Sequence, residues 1–535
     1  LVVARLPKGS GFWLALAAVV VLGILPLALV IAEGVRSGDV FTETLTAPET
    51  LDALGGTLRL SLGTTVLALL IGAPLAWLTT RTDLPWAGFF RSVLTIPYII
   101  PPYIAAVAWI TLANPRVGVL NTLLGAGTLD IYSMGGLTWV MALSFYPYVF
   151  LTVRGALLSA DPSLEDAARM SGAGTWRVLV DIALPLMRPA LVASGSLVFM
   201  VTASAFGAPA LIGNAARLDF LSTSIFDSLT SGLGGMAQAS SMACVLLALA
   251  LLPMLLRARH HAVLTGKATR PTRIRLGRAR WPAHAALLLF VLVAVFVPAL
   301  AVAVTAFLRV AGDLSIDNFT LANFDVLSRS ESGGAILASL WLAVGAATAA
   351  VALGGFVAFL QVKTRRRGRH LLSALTALPL AAPGTVLALG LILVWTTPLK
   401  LVNTVWILLI AYLAKYAALA ARAIGEGLGA IDDALPEAAR MSGARGLLRL
   451  RTIWIPLAMP ALVAGWFLVF MPAFSELTMS VLLVGPGIET VGTRLFELRE
   501  YESPTAASVL ATVVLALVVT SNLLLRWLSR GRYGV

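Results

Sequence analysis

One cysteine, four histidines and a charged fraction of 12% in 535 residues set the first limits. A lone Cys244 permits no intrachain disulfide and no cysteine-rich metal centre. No phosphate cradle is present. Gly266-Lys267 is followed by Ala268 where a hydroxyl is needed, and His261 stands where the first glycine belongs. The histidines (His260, His261, His284 and His370) have no carboxylate pair beside them, and read as loop and interface residues. Charge is the most telling shortage. A soluble chain carries roughly a quarter of its residues charged, because its surface must face water. Here 59% of residues are hydrophobic and the mean hydropathy is +0.91, so the missing solvent is lipid. The net charge of +13 does not point to nucleic acid, since the basic residues lie between apolar runs.

Runs long enough to cross a bilayer, about 20 residues each, recur along the chain. They cover 11–32, 60–80, 92–114, 131–153, 189–216, 228–256, 281–308, 332–362, 371–399, 401–424, 452–475 and 503–525. The tenth is the weakest, being interrupted by Lys415 and Arg422. The first, preceded by Arg5 and Lys8, is too long for a signal-peptide core and reads as a retained span. Arginine and lysine crowd into 257–280, 363–369 and 526–532, whereas 33–52 holds five acids against Arg36. Twelve spans with both termini in the cytoplasm put every strongly basic loop inside. The fold class is therefore all-α integral membrane.

The chain also repeats itself. Residues 164–174, LEDAARMSGAG, return as LPEAARMSGAR at 435–445, an offset of 271. Pro185 matches Pro456, and Pro189 matches Pro460; upstream, Pro97 and Pro101 match Pro379 and Pro383 at an offset of 282. Two parallel six-span domains, 1–256 and 281–535, joined by a basic cytoplasmic linker, 257–280, account for this pattern. The prolines at the starts of the third and ninth spans fit either a broken helix that hinges or a tolerated kink.

The repeated segment falls on the basic side, between the fourth and fifth spans of each half. Asp161-Pro162, and Asp432 or Asp433 with Pro436, read as helix starts. Gly172 and Gly443 end the helices, each able to take the left-handed conformation that redirects a chain. A short protruding helix on a fixed elbow suits docking into a partner's groove.

These residues resemble the signature loop of permease subunits of bacterial binding-protein-dependent ABC importers: E-A-A, three residues, G, nine residues, I-x-L-P. The first copy gives Asp166-Ala167-Ala168, Gly172 and Ile182-Ala183-Leu184-Pro185, with Glu165 adjacent; the second gives Glu437-Ala438-Ala439, Gly443 and Ile453-Trp454-Ile455-Pro456. Aspartate replaces the leading glutamate in the first copy, and Ile455 the leucine in the second. The resemblance implies an inner-membrane transport subunit that is no enzyme and binds no cofactor. It implies coupling helices at both loops, docked on two copies of an ATPase that carry ATP and magnesium, and a periplasmic binding protein that delivers cargo. The fused arrangement is most similar to ferric iron permeases, through FMPAFSELTMSVLLV at Phe470 to Val484. Thiamine, aminoethylphosphonate, polyamine and sulfate permeases share the frame. A secondary active transporter is the rival of another class, but it would need more charge deep in its spans.

Ionisable residues within spans normally face protein or water. Lys415 and Tyr416 in the tenth span, and Ser475 with Glu476 at the outer end of the eleventh, are the candidate pathway or gate; an ion pair packed within one half is the plainer role. No metal site is assigned. Glu497-Leu498-Arg499-Glu500 has an E-x-x-E spacing but falls in an outer loop, where acids suit a soluble partner.

Overall fold

In the computed structural model the described residues are 10–528, apart from 126, 161–162, 231–234, 258–273, 365, 398 and 445. Asp161-Pro162 and most of the linker thus lie outside them. Ten helices are long and apolar enough to cross a membrane, and two bent pairs bring the number to twelve, all among the described residues. The helices of the first half are Gly11–Arg36, Pro48–Arg81, the pair Ala87–Tyr98 with Pro102–Ala113, Met134–Ser159, Val180–Ala203 and Gly235–Pro253. Those of the second are Gly277–Thr305, Glu331–Lys363, the pair Arg369–Ala381 with Gly384–Trp395, Val405–Gly429, Leu450–Phe474 and Pro504–Leu524.

Three details differ from the sequence reading. The second span begins at Pro48 rather than 60, because Glu49, Asp52 and Arg59 ride on an N-terminal extension of the same helix. The fifth is Val180–Ala203 rather than 189–216. Its helix stops at Ala203, and after a break at 204–206 a separate short helical stretch runs over 207–216. The tenth, interrupted by Lys415, is nonetheless a continuous helix, Val405–Gly429.

The proline-rich spans are broken rather than kinked. The third bends by 99° and the ninth by 107°. Pro101 and Pro383 both stand at the junction with extended ψ of 138°, each capping the second segment. A proline supplies no N–H to bridge the two segments, so the chain turns there.

In each half the second, fourth and fifth spans pack into a common bundle. The first span of each half instead reaches across. Gly11–Arg36 packs on the ninth span, and Gly277–Thr305 packs on the third. Tyr146 of the fourth span meets Phe290 of the seventh at 5.4 Å between ring centroids. A Cβ on Gly390 would stand 2.4 Å from the Pro26 carbonyl oxygen, so only glycine lets these backbones touch. Gly390→Ala is expected to destabilise the chain by about 1–3 kcal/mol through overpacking, read as a lowered thermal midpoint of purified protein.

Candidate functional site

Both elbows form as the repeat predicts. Ser163–Met170 and Ala434–Met441 are short helices beyond the fourth and tenth spans. Each ends in the same crossed pair of backbone bonds. Gly172 N–H donates to Arg169 O and Ala173 N–H to Ala168 O, both at 3.0 Å. Gly443 N–H donates to Arg440 O at 3.0 Å and Ala444 N–H to Ala439 O at 2.9 Å. This closure needs a residue with positive φ, and the glycines supply +83° and +82°.

The elbows present matching faces. Leu164 and Leu435 are half-exposed, while Met170 and Met441 are 89% and 88% exposed. Ala167, Ala438 and Glu437 are exposed, and Ala168 and Ala439 partly so. Two apolar knobs thus flank a low alanine surface, twice over. Of the Asp166 side chain nothing is described. Asp432 Oδ1 accepts the Ala434 N–H at 2.9 Å, whereas Asp433, at the cap position, makes no capping bond.

Glu165 does not join the exposed face. It is buried, 3.3 Å from Arg81 and 3.2 Å from Arg169. Arg81 is the last residue of the second span, fully buried, and also donates to Leu157 O at 3.0 Å. Lys363 ends the eighth span in the same way, donating to Ile431 O at 2.8 Å and to Asp433 Oδ1 at 2.5 Å. Each elbow is thus strutted from the end of a long helix. The signal was available: Arg81 and Lys363 are 282 residues apart, the offset of the upstream prolines. The first strut has an extra layer. Thr82 bridges Ile274 from the linker's end, with Ile274 N–H on Arg81 O at 2.7 Å and Asp83 N–H on Ile274 O at 3.1 Å.

The pathway candidates gather where backbone is broken. Lys415 Nζ donates to Ala382 O at 3.1 Å, a carbonyl freed at the bend of the ninth span. The eleventh helix ends at Phe474, so Ser475 is its C-cap and Glu476 lies in the turn beyond, not in the span. The buried Glu476 carboxylate accepts the Met479 and Ser480 N–H groups at 3.0 Å, and Ser480 Oγ at 2.8 Å. It caps the helix Ser480–Leu483. A cation on a helix C-terminus and a carboxylate on an N-terminus both oppose the helix dipole. They also satisfy backbone groups that lipid could not. Tyr416 is buried, and the Tyr412 hydroxyl bonds Ser480 Oγ at 2.6 Å. These bonds lie within the second half, but the first half closes over them. A Cβ on Gly207 would stand 2.7 Å from Tyr103 Cβ and 2.8 Å from Leu477 Cδ2.

On the acidic face, Arg494 is buried among carboxylates: Glu502 at 2.7 Å, Glu331 at 3.0 Å, Glu497 at 3.1 Å and Glu489 at 3.7 Å. Glu497 and Glu502 are therefore tied to one guanidinium, outside the spanning helices. Burial pushes the Glu489 carboxyl up, against the pull of Arg494. Among the described residues no group of His, Cys, Asp and Glu could hold a metal ion.

Comparison with known proteins agrees with this geometry. The chain is 26% identical to the ferric transport system permease protein FbpB of Actinobacillus pleuropneumoniae, over 78% of this chain but only 62% of that protein. It is 24% identical to the Fe(3+)-transport system permease protein FbpB 2 of Haemophilus influenzae, over 92% of this chain and 93% of that one. A 27% match to the spermidine/putrescine transport system permease protein PotC of Escherichia coli covers 45% of this chain and 92% of PotC. The family model for the binding-protein-dependent transport system inner membrane component matches twice, at 56–262 and 350–532, enclosing both elbows. With two matched units, repeated elbows and a helical membrane fold, the chain belongs to that family of transport permeases.

Proposed function

We propose that this chain is the permease of an ATP-driven importer that takes ferric iron from a periplasmic binding protein, with both elbows seated on ATPase subunits. The observation that carries the coupling role is the duplicated elbow: the same exposed leucine and methionine, on the same glycine-closed turn, in both halves. A loop that merely joined two spans would not need 88–89% exposed methionines at two matched places. The basic face then lies in the cytoplasm and the Arg494 cluster faces the binding protein. Support for ferric iron comes from relatives aligned along most of the chain, whereas the PotC match covers less than half of it.

The test is ferric iron accumulation by cells expressing the chain with its ATPase and binding protein. Uptake that requires all three components is the expected result. If the complex imports spermidine or putrescine and not ferric iron, the cargo is reassigned; if it imports without an ATPase, the importer reading fails.

A further inference from the structure

The third and ninth spans open at matched places, and the match fails at one residue. Trp86 is the N-cap of the helix that opens the third span, with φ of +54°. Gly368, 282 residues on, is the N-cap that opens the ninth, with φ of +91°. Left-handed backbone suits glycine and is strained for tryptophan. The first half thus holds an indole, 71% exposed, where the second holds the residue that the geometry favours. Little of that indole is buried to offset the strain.

The indole stands at a corner built from two spans. Its ring lies 5.6 Å from that of His284 on the seventh span, and Trp281, 66% exposed, lies 6.0 Å from the same imidazole. Phe90 backs the imidazole at 5.2 Å. Arg280 Cζ is 5.8 Å from the Trp281 ring centroid. Arg280 Nε and His284 Nδ1 are buried, with no hydrogen-bond partner among the described residues. The linker's end brings two more cations. Ile274 bridges Thr82, and Leu276 N–H donates to Asp83 Oδ1 at 2.9 Å. Arg275 is fixed between them, and Arg278 rides on the 3-10 turn that follows; both are exposed. Asp83 is the only acid in 82–100 or 274–300, and Leu276 already occupies one of its oxygens. Arg91 is engaged elsewhere, donating to Thr79 O at 3.1 Å.

Exposed indoles at span ends sit at headgroup depth in a bilayer, and guanidinium groups match phosphate geometry. We infer that this corner binds the headgroup of an anionic phospholipid. Arg275, Arg278 and Arg280 face its phosphate, and Trp86 and Trp281 flank the glycerol and upper acyl chains. Basic pockets between spans take such headgroups. Exposed Phe89, Leu288 and Leu289 continue the apolar surface along both spans. The inference goes beyond the transport reading and holds for any cargo.

The whole chain, purified in detergent and stripped of lipid, is offered phosphatidylglycerol or phosphatidylcholine with identical acyl chains and read by native mass spectrometry. The wild type is expected to retain phosphatidylglycerol about tenfold more tightly. Arg278→Gln with Arg280→Gln should remove that preference, and neither substitution breaks a described hydrogen bond. Trp86→Gly, which places the other half's residue at a positive φ, should weaken the preference without lowering the thermal midpoint. Arg366→Gln with Arg367→Gln removes equal charge from another basic loop and should leave the preference unchanged. Inorganic phosphate in excess should not displace the lipid, since it has no acyl chains to hold. Equal retention of the two lipids, equal loss in the Arg366 and Arg367 control, or displacement by phosphate would overturn the lipid site. A preference untouched by either corner variant would overturn it too. So would a Trp86→Gly chain that keeps the lipid preference but no longer copurifies with the ATPase, which would give the corner to a protein partner.

Discussion

Replacing Gly172 and Gly443 together by proline is expected to abolish ferric uptake while the chain stays in the membrane at wild-type abundance. Proline holds φ near −65°, and the two glycines stand at +83° and +82°. The substitution also removes the N–H groups bonded to Arg169 O and Arg440 O. Losing that bond and forcing the backbone costs about 3 kcal/mol or more at each site. A Cβ at either position would meet nothing within 4 Å, so any loss comes from backbone conformation and not from crowding. Asparagine tolerates the left-handed conformation and should retain most uptake. Uptake by the proline double variant equal to wild type would sink the coupling role of both elbows.

The second large effect is expected at Arg81. Arg81→Met strips the main partner from a buried Glu165 carboxylate, and stability should fall by about 3–5 kcal/mol, toward the lower end because Arg169 remains. Adding Glu165→Met should recover much of that loss, since an apolar pair needs no compensation. Lys363→Met should cost less than about 1 kcal/mol in its ion pair, because Asp433 is 73% exposed. Thermal midpoints of the three purified variants against wild type decide this. If the double variant is no more stable than Arg81→Met, the pair is not the reason Arg81 is buried.

The large features were legible because each has a one-dimensional signal. Span number follows from apolar length, the halves from a fixed offset, and the elbows from a glycine that ends a short helix. Pro101 and Pro383 marked where spans would break, although residue type alone could not separate a kink from turns of 99° and 107°. What escaped needed the third dimension. Glu165 stands next to the signature's acid, on the same short helix that suits docking. Its position on a helix of eight residues could not show that Arg81, far upstream, waits beneath it. Lys415 and Glu476 stand out in the sequence as rare charges in apolar surroundings, but the ends they cap exist only once the ninth span has turned and the eleventh has stopped.

The crossing of the first and seventh helices bears on why the two halves travel as one polypeptide. Each half wears a strap that belongs to the other: Gly11–Arg36 lies along the ninth span, and Gly277–Thr305 along the third. Such halves cannot part like the covers of a book. They can only tilt, because a clean separation would peel a whole helix off its bed. The covalent tether then adds to a grip that the crossed helices already make, and fragments expressed from a gene cut between the two straps are expected to copurify.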